Sequence, residues 1–251
     1  MKRCLMVIML MLFSIASIPS KKRHLPSAIW MKGRWQIIWQ DNFSNDESWK
    51  NWVTEDASPG HILSSRWRDN VRISRGRLLL LNKKETRGGR PWTTGCVYSR
   101  KMFRYGYIES RFRISKASGV NNAFWLFANS GNMEHHFEID IAEVHYSDKI
   151  NLNIHDLGSS LRSKNGQSSS ILHRGRLAEG YHVYGVDWEA DSIKFYVDNK
   201  LVRAELNLFC HEPAILSLST AVLNWAGHIS DSIDGTKMEI DYVRVYSRLR
   251  R

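Results

Sequence analysis

Phe137-Glu138-Ile139-Asp140-Ile141-Ala142-Glu143-Val144 sets three acids among apolar residues. In an extended strand successive side chains point to opposite faces. Phe137, Ile139 and Ile141 then face one side, and Glu138 and Asp140 the other. Strict alternation would put Glu143 with the apolar set. One extra residue, most simply Ala142, bulging out of register returns Glu143 to the acidic face. A bulged strand of this kind lines three carboxyls along one groove. Cleavage of a glycosidic bond with retained configuration uses two carboxyl groups roughly 5–5.5 Å apart, one as nucleophile and one as acid/base. Glu138 and Glu143 are the candidate pair, with Asp140 between them. Like charges close together keep at least one glutamate protonated near neutrality, as a general acid must be. The alternative is an exposed acidic face on an edge strand.

The flanking chain is strand-like throughout. Arg34 to Asp41 reads as a first strand, with Trp35, Ile37 and Trp39 on alternate positions. Val71 to Asn82 reads as a hairpin turning at Arg75-Gly76. Cys96 to Arg100, Tyr105 to Ile114, Ala123 to Ala128 and Lys149 to Leu157 follow as strands, with Ala117 to Asn122 as a turn. Gly158 to Gly175 is rich in Ser and Gly and reads as a loop. Tyr181 to Glu189, Ser192 to Val197, Lys200 to Glu205, Ala214 to Ala221 and Lys237 to Tyr246 complete the set, with a tight turn at Asp198-Asn199. There is no repeat, no heptad run and no helix with start and stop signals. With 251 residues and 43% apolar content, the pattern predicts one all-β domain built as a sandwich of two antiparallel sheets.

Glu138-Ile-Asp140-Ile-Ala-Glu143 resembles the catalytic signature of glycoside hydrolase family 16 in its bulged form, found in laminarinases, agarases, porphyranases and carrageenases. Tyr105 to Phe112, Ala123-Phe124-Trp125-Leu126, His182 to Trp188 and Ile240 to Tyr246 occur in the family's order. The resemblance spans roughly residues 35 to 247. It implies a concanavalin-like β-jelly-roll with a substrate groove. It also implies that Glu138 is the nucleophile, Asp140 the assisting acid and Glu143 the acid/base. The family often has Trp-Pro where this chain has Asn121-Asn122, a departure that leaves the three acids untouched. A family loop near the groove resembles Asn224 to Gly227. The aspartate at Asp241 corresponds to one that helps hold a structural calcium in the family, although calcium takes six to eight oxygens. No cofactor is required for carboxylate-based cleavage.

Trp125 and Trp225 are the first candidates for stacking on a sugar ring, since an indole offers a flat apolar face with a polar edge. Trp92 and Trp67 are further ones. The alternative for each is core packing. Asn151, Asn153 and His155 share one face of a strand and offer hydrogen bonds to sugar hydroxyls, His155 foremost. His135-His136 read as polar loop residues rather than ligands. No metal-binding spacing occurs at Cys96 or Cys210, which either pair or remain buried thiols.

Residues 1–20 carry Lys2 and Arg3, then an apolar run from Leu5 to Phe13, then small residues. That is the pattern of a secretory signal peptide, with a retained anchor as the alternative. The run is too short to span a bilayer. Residues 21–33 read as a linker and 34–251 as the catalytic domain of a monomer, secreted, periplasmic or on the cell surface. The formal net charge of +11 is compatible with nucleic acid, a membrane surface or an acidic polysaccharide. Export and the carboxylate groove favour the polysaccharide, and no nucleic-acid recognition motif is visible. The basic composition, the Asn121-Asn122 turn and the Asn/His strand point to a galactan, sulfated or not, such as agar, porphyran or carrageenan. A β-1,3- or mixed-linkage glucan is the alternative. A carbohydrate-binding protein without turnover is the rival from another class.

Overall fold

A computed structural model describes residues 35–128, 135–158 and 167–249. The expected leader at 1–20 and linker at 21–33 lie outside the described residues.

In chain order the strands are β1 (Trp35–Asp41), β2 (Trp52–Thr54), β3 (Ser64–Arg66), β4 (Val71–Ser74), β5 (Arg77–Leu81), β6 (Trp92–Thr94), β7 (Cys96–Phe103), β8 (Gly106–Arg113) and β9 (Val120–Ala128). They continue as β10 (Phe137–His145), β11 (Lys149–Asp156), β12 (Gln167–His173), β13 (His182–Trp188), β14 (Ser192–Val197), β15 (Lys200–Leu206), β16 (Ala214–Val222) and β17 (Lys237–Arg248). The two hairpins foreseen in the sequence turn where paired residues take positive φ. These are Arg75 (51°) with Gly76 (68°), and Asp198 (49°) with Asn199 (64°). Such two-residue turns match the twist of the strands they join.

One eight-stranded sheet runs β15-β14-β13-β8-β17-β5-β4, with β1 also on β17, and a seven-stranded sheet runs β12-β11-β10-β9-β16-β7-β2. Their pairings are antiparallel, whereas β3 and β6 form a separate parallel pair. This is the two-sheet sandwich that the strand pattern predicts and the β-jelly-roll that the resemblance implies. Phe124 and Leu126 of β9, Ile139 and Val144 of β10 and Leu216 and Leu218 of β16 turn inward. They meet Phe112, Tyr184 and Trp188 of the other sheet in one buried cluster. Phe112 stacks on Tyr184 at 4.3 Å, and Phe137 meets Trp188 edge-on at 5.6 Å. Burying a large apolar side chain contributes about 1.5–3 kcal/mol, so this inward set fixes which face each strand turns to the core. The opposite face of the seven-stranded sheet is left for polar and aromatic residues, and it carries the groove.

Two stretches differ from expectation. Strand β9 begins at Val120, so Asn121 and Asn122 lie within it rather than in a turn. Asparagine is a poor strand former because its amide competes for backbone groups. Here those demands are met inside the sheet: Asn122 Nδ2 donates to Val144 O at 3.0 Å, and Asn122 Oδ1 accepts from Ser115 N at 3.0 Å. The stretch from Gly158 to Gly175, read as a loop, contains edge strand β12 paired with β11. Its Ser-rich composition suits an edge with little apolar demand. Cys96 and Cys210 are buried free thiols. Among the described residues no helix is long and apolar enough to cross a membrane.

Candidate active site

Strand β10 is where pairing breaks register. Toward β9, Asp140 faces Trp125 and Ala142 faces Phe124, so Ile141 has no counterpart. Toward β11, Asp140 faces Asn153 and Glu143 faces Asn151, so Ile141 and Ala142 together oppose Leu152. The bulge expected at Ala142 is therefore centred on Ile141 as seen from β9 and shared by both residues as seen from β11. Both are buried in the core cluster. Two successive residues on the apolar side return Glu143 to the face of Glu138 and Asp140. All three acids line a groove of about 920 Å³.

Three neutral or weakly basic side chains hold the acids. Asn153 Nδ2 donates to Asp140 Oδ2 at 3.0 Å and to Glu143 Oε2 at 2.9 Å. Asn121 Nδ2 donates to Glu143 Oε1 at 2.6 Å. His155 Nε2 lies 3.1 Å from Asp140 Oδ2. That hydrogen bond raises the His155 pKa against the opposing effect of burial. Glu138 and Glu143 are both pushed well above the usual carboxylic range, by burial first and by the Asp140 charge next. The Arg66 charge works the other way on Glu138. Desolvation and like charge both disfavour the ionised form, so the row retains a proton at neutral pH. The chemistry available is that of one carboxylate and one carboxylic acid on the same surface.

The rest of the groove has an aromatic and a polar part. Trp125 is part-buried beside the acids, with Nε1 donating to Ser219 Oγ at 3.2 Å and its ring edge-on to Tyr98 at 6.0 Å. Trp225 is 52% exposed, and its ring lies 5.1 Å from that of His145. Gly227 takes a φ of +119°, and a Cβ there would come within 2.2 Å of Ser118 Oγ, so glycine is what lets the Trp225 loop close against the chain. Across the groove Arg66 donates to Glu55 at 2.8 Å and to Tyr98 Oη at 3.2 Å, and Tyr98 Oη donates to Glu55 at 3.0 Å.

Of the expected binding residues, Trp125, Trp225 and His155 line the groove. His155 serves Asp140 as well as facing the groove. Trp92 and Trp67 are corrections, for neither is among the groove residues. Trp92, on β6 beside β3, is buried against Val120, Val222 and Ile233. Trp67 donates to Ser65 Oγ at 2.7 Å and carries the Arg87 guanidinium 3.9 Å over its ring, so its face is already covered. Asp241 is paired with Arg111 at 2.8 Å. A cation already balances that carboxylate, and among the described residues it belongs to no cluster of three His, Cys, Asp or Glu ligand residues. Glu138, Asp140 and His155 are such a cluster, with ligand atoms within 4.8 Å of one another. Their mutual hydrogen bonds account for that closeness. His135 is exposed, as a loop residue would be.

Asn121, Glu55 and Arg66 were not anticipated. Asn121 sits four residues before Trp125, at the alternate-face spacing of a strand, which would have exposed it had β9 been extended by three residues. Glu55 and Arg66 meet through an isolated bridge between Ala57 and Arg66, and nothing local in the sequence marks that contact. The basic composition also has a location. Of the 36 Lys and Arg, seven fall in residues 1–34 and two at residues 250–251, stretches that hold no Asp or Glu.

Comparison with protein families matches residues 61–244 to glycosyl hydrolases family 16. The endo-1,3-1,4-β-glycanase ExsH of Rhizobium meliloti is 33% identical over 165 residues, covering 63% of this chain and 34% of that protein. The κ-carrageenase of Pseudoalteromonas carrageenovora is 27% identical, covering 72% of this chain and 57% of that protein. The chain thus spans about a third of the length of the first curated relatives it matches. Among solved structures, the laminarinase catalytic domain of Thermotoga maritima superposes with a TM-score of 0.77 at 24% identity, covering 86% of this chain and 100% of that one. The endo-β-1,3-glucanase of Pyrococcus furiosus gives 0.75 at 25% identity, covering 88% and 97%.

Proposed function

The chain belongs to glycosyl hydrolases family 16, and from that premise we propose a secreted, endo-acting, retaining hydrolase of β-linked polysaccharide. The observation that carries this reading is the row Glu138, Asp140 and Glu143 on one groove face, made continuous by the bulge at Ile141 and Ala142. Glu138 is the nucleophile: its carboxylate oxygen bonds to the anomeric carbon as the glycosidic C–O bond breaks, and Glu143 passes its proton to the departing oxygen. Asp140 orients Glu138 directly and Glu143 through Asn153. Once Glu138 is esterified it has lost its charge. Removing a like charge lowers the pKa of Glu143, so Glu143 can take a proton from the water that hydrolyses the ester. The change has the sign that the second step needs. The catalytic domain is taken as residues 34–251, after a leader at 1–20 and a linker at 21–33.

A neutral β-glucan is the substrate class the groove supports best. The three features that pointed to a sulfated galactan are otherwise engaged. Nine of the 36 Lys and Arg lie in residues 1–34 and 250–251, at the two ends of the chain. Asn121 serves Glu143, and Asn153 and His155 serve the acids. Arg66, a cation lining the groove, is matched by Glu55. The relatives named as glucanases and glycanases agree with this choice, while the κ-carrageenase relative keeps a galactan as the second reading.

The test is reducing-end release from laminarin, mixed-linkage glucan, agarose, porphyran and carrageenan, with the first product's anomer read by proton NMR. Oligosaccharides of retained β configuration from a neutral glucan are expected, and E138Q should release none. Cleavage confined to a sulfated galactan would establish the second reading. Retention of a polysaccharide on an affinity gel with no bond cut would replace the hydrolase by a binding protein.

A further inference from the structure

Two amides serve the two oxygens of one carboxyl group. Asn121 Nδ2 donates to Glu143 Oε1, and Asn153 Nδ2 donates to Glu143 Oε2. That arrangement suits the ionised group best, since it accepts at both oxygens and donates at neither. The first step proposed above needs Glu143 protonated, and its O–H then points to the departing oxygen; before substrate arrives the O–H has to find another acceptor. An amide that turns over presents its oxygen as that acceptor. Asn153 is tied, because its Nδ2 is shared with Asp140. Turning it over would break bonds to two acids. Asn121 is not tied: its Oδ1 is buried and meets no hydrogen-bond partner among the described residues. Rotating that amide by half a turn exchanges one bond to Glu143 for another. In each orientation one amide atom faces Glu143 and the other is left unmatched, so the side chain bears the same desolvation cost in both states.

Other titratable groups lie on the strands beside this carboxyl. On β10 these are Glu138, Asp140 and the buried His145. On β11 they are His155 and, opposite His145, Lys149. None of them hydrogen-bonds Glu143 Oε1 among the described residues, which leaves Asn121 to answer there.

We infer that Asn121 is a two-way positioning residue for the acid/base, its amide donating to ionised Glu143 and, turned over, accepting from protonated Glu143. The inference rests on the retaining mechanism proposed above. It predicts that the side-chain amide follows the proton. In nitrogen-resolved proton NMR, the Asn121 Nδ2 protons should move upfield as pH falls through the Glu143 titration, when they lose their bond to the carboxylate. E143Q should abolish that movement. Asn121 protons that stay put through the titration, or that move equally in E143Q, would overturn it.

The kinetic readout uses N121L, which keeps the volume and removes both donor and acceptor. A hydrogen bond to an ionised oxygen is roughly twice as strong as a neutral one, so the ionised state loses more. The high-pH limb of kcat/KM should move up by about half a unit. The kcat should fall about tenfold with KM within about twofold, since only proton transfer is impaired. If N121L lacks a native near-UV spectrum, N121A carries the same expectation. An unmoved limb with unchanged kcat would refute the role. Should the amide titrate in a protein that cuts no polysaccharide, the pairing stands and the hydrolase reading falls.

Discussion

Replacing Glu138 by Gln should make the protein inert and more stable at once. Ligand atoms of Glu138, Asp140 and His155 lie within 4.8 Å of one another. At that distance two like unit charges repel by about 3 kcal/mol at an effective dielectric of about 20. Gln keeps the shape and an N–H for Asp140 while removing the charge. The proton that the row already retains near neutrality lowers the gain to about 1–2 kcal/mol there. In a domain of this size each kcal/mol moves Tm by about 2–4 °C, so E138Q should melt roughly 2–8 °C above wild type. Burial and then Asp140 raise the Glu138 pKa above its ordinary 4.5. Between the ordinary and the raised value the folded protein holds a proton that the unfolded chain releases. Stability therefore falls as pH rises through that window, and the E138Q advantage should widen from pH 5 to pH 8. Thermal unfolding followed by calorimetry at both pH values measures it, with turnover expected to drop at least about 10⁴-fold. An E138Q that melts below wild type at pH 8, or an advantage that shrinks with rising pH, would show that the acids are not held against one another in the way described.

Three further outcomes are expected. W225A should raise KM for a polymeric substrate about tenfold with kcat within about twofold, because the exposed indole contributes about 1–1.5 kcal/mol of stacking and no proton transfer. R66M should cost about 2–4 kcal/mol in urea unfolding by leaving Glu55 unpaired, with E55Q added to it recovering part of the loss; it should also shift the low-pH limb of kcat/KM upward, since Arg66 lowers the Glu138 pKa. A sulfate about 6 Å from Asp140 would be repelled by about 3 kcal/mol at a dielectric of about 20, so a glycan sulfated on the sugar over the acids should be cut about 100-fold more slowly than its desulfated form, measured as kcat/KM on matched oligosaccharides.

Most of the sandwich is legible because its strands alternate cleanly. Leu78 and Leu80 are fully buried while Leu79 and Leu81 are not, and the same rule places Ile139 and Asp140 on opposite faces. The three acids were legible because a single extra residue is the simplest way to restore their alternation, although apolar pattern alone does not say which of Ile141 and Ala142 lacks a partner. The tryptophans are harder. Trp92 and Trp125 both sit in strands, and only the sheet each strand joins decides between core and groove. Asn121 was hidden by its own chemistry, since turn preference is a local signal while the Glu143 contact that overrides it comes from 22 residues away. Arg66 and Glu55 depend on how β3 is placed beside the groove, which no periodicity encodes.

The surroundings of the two glutamates differ in a way that bears on their roles. A nucleophile must be ionised when substrate arrives, and Glu138 is the acid that the Arg66 charge favours in that form. An acid/base must cross between two protonation states in every cycle. A lysine or arginine bonded to Glu143 would hold it ionised and stop the first step. A purely apolar wall would hold it protonated and stop the second. Asn121 and Asn153 instead satisfy its oxygens without adding a charge, and the cation nearest to them, His155, is matched by Asp140. Amides on one glutamate and a guanidinium within electrostatic reach of the other thus give two chemically identical side chains different surroundings.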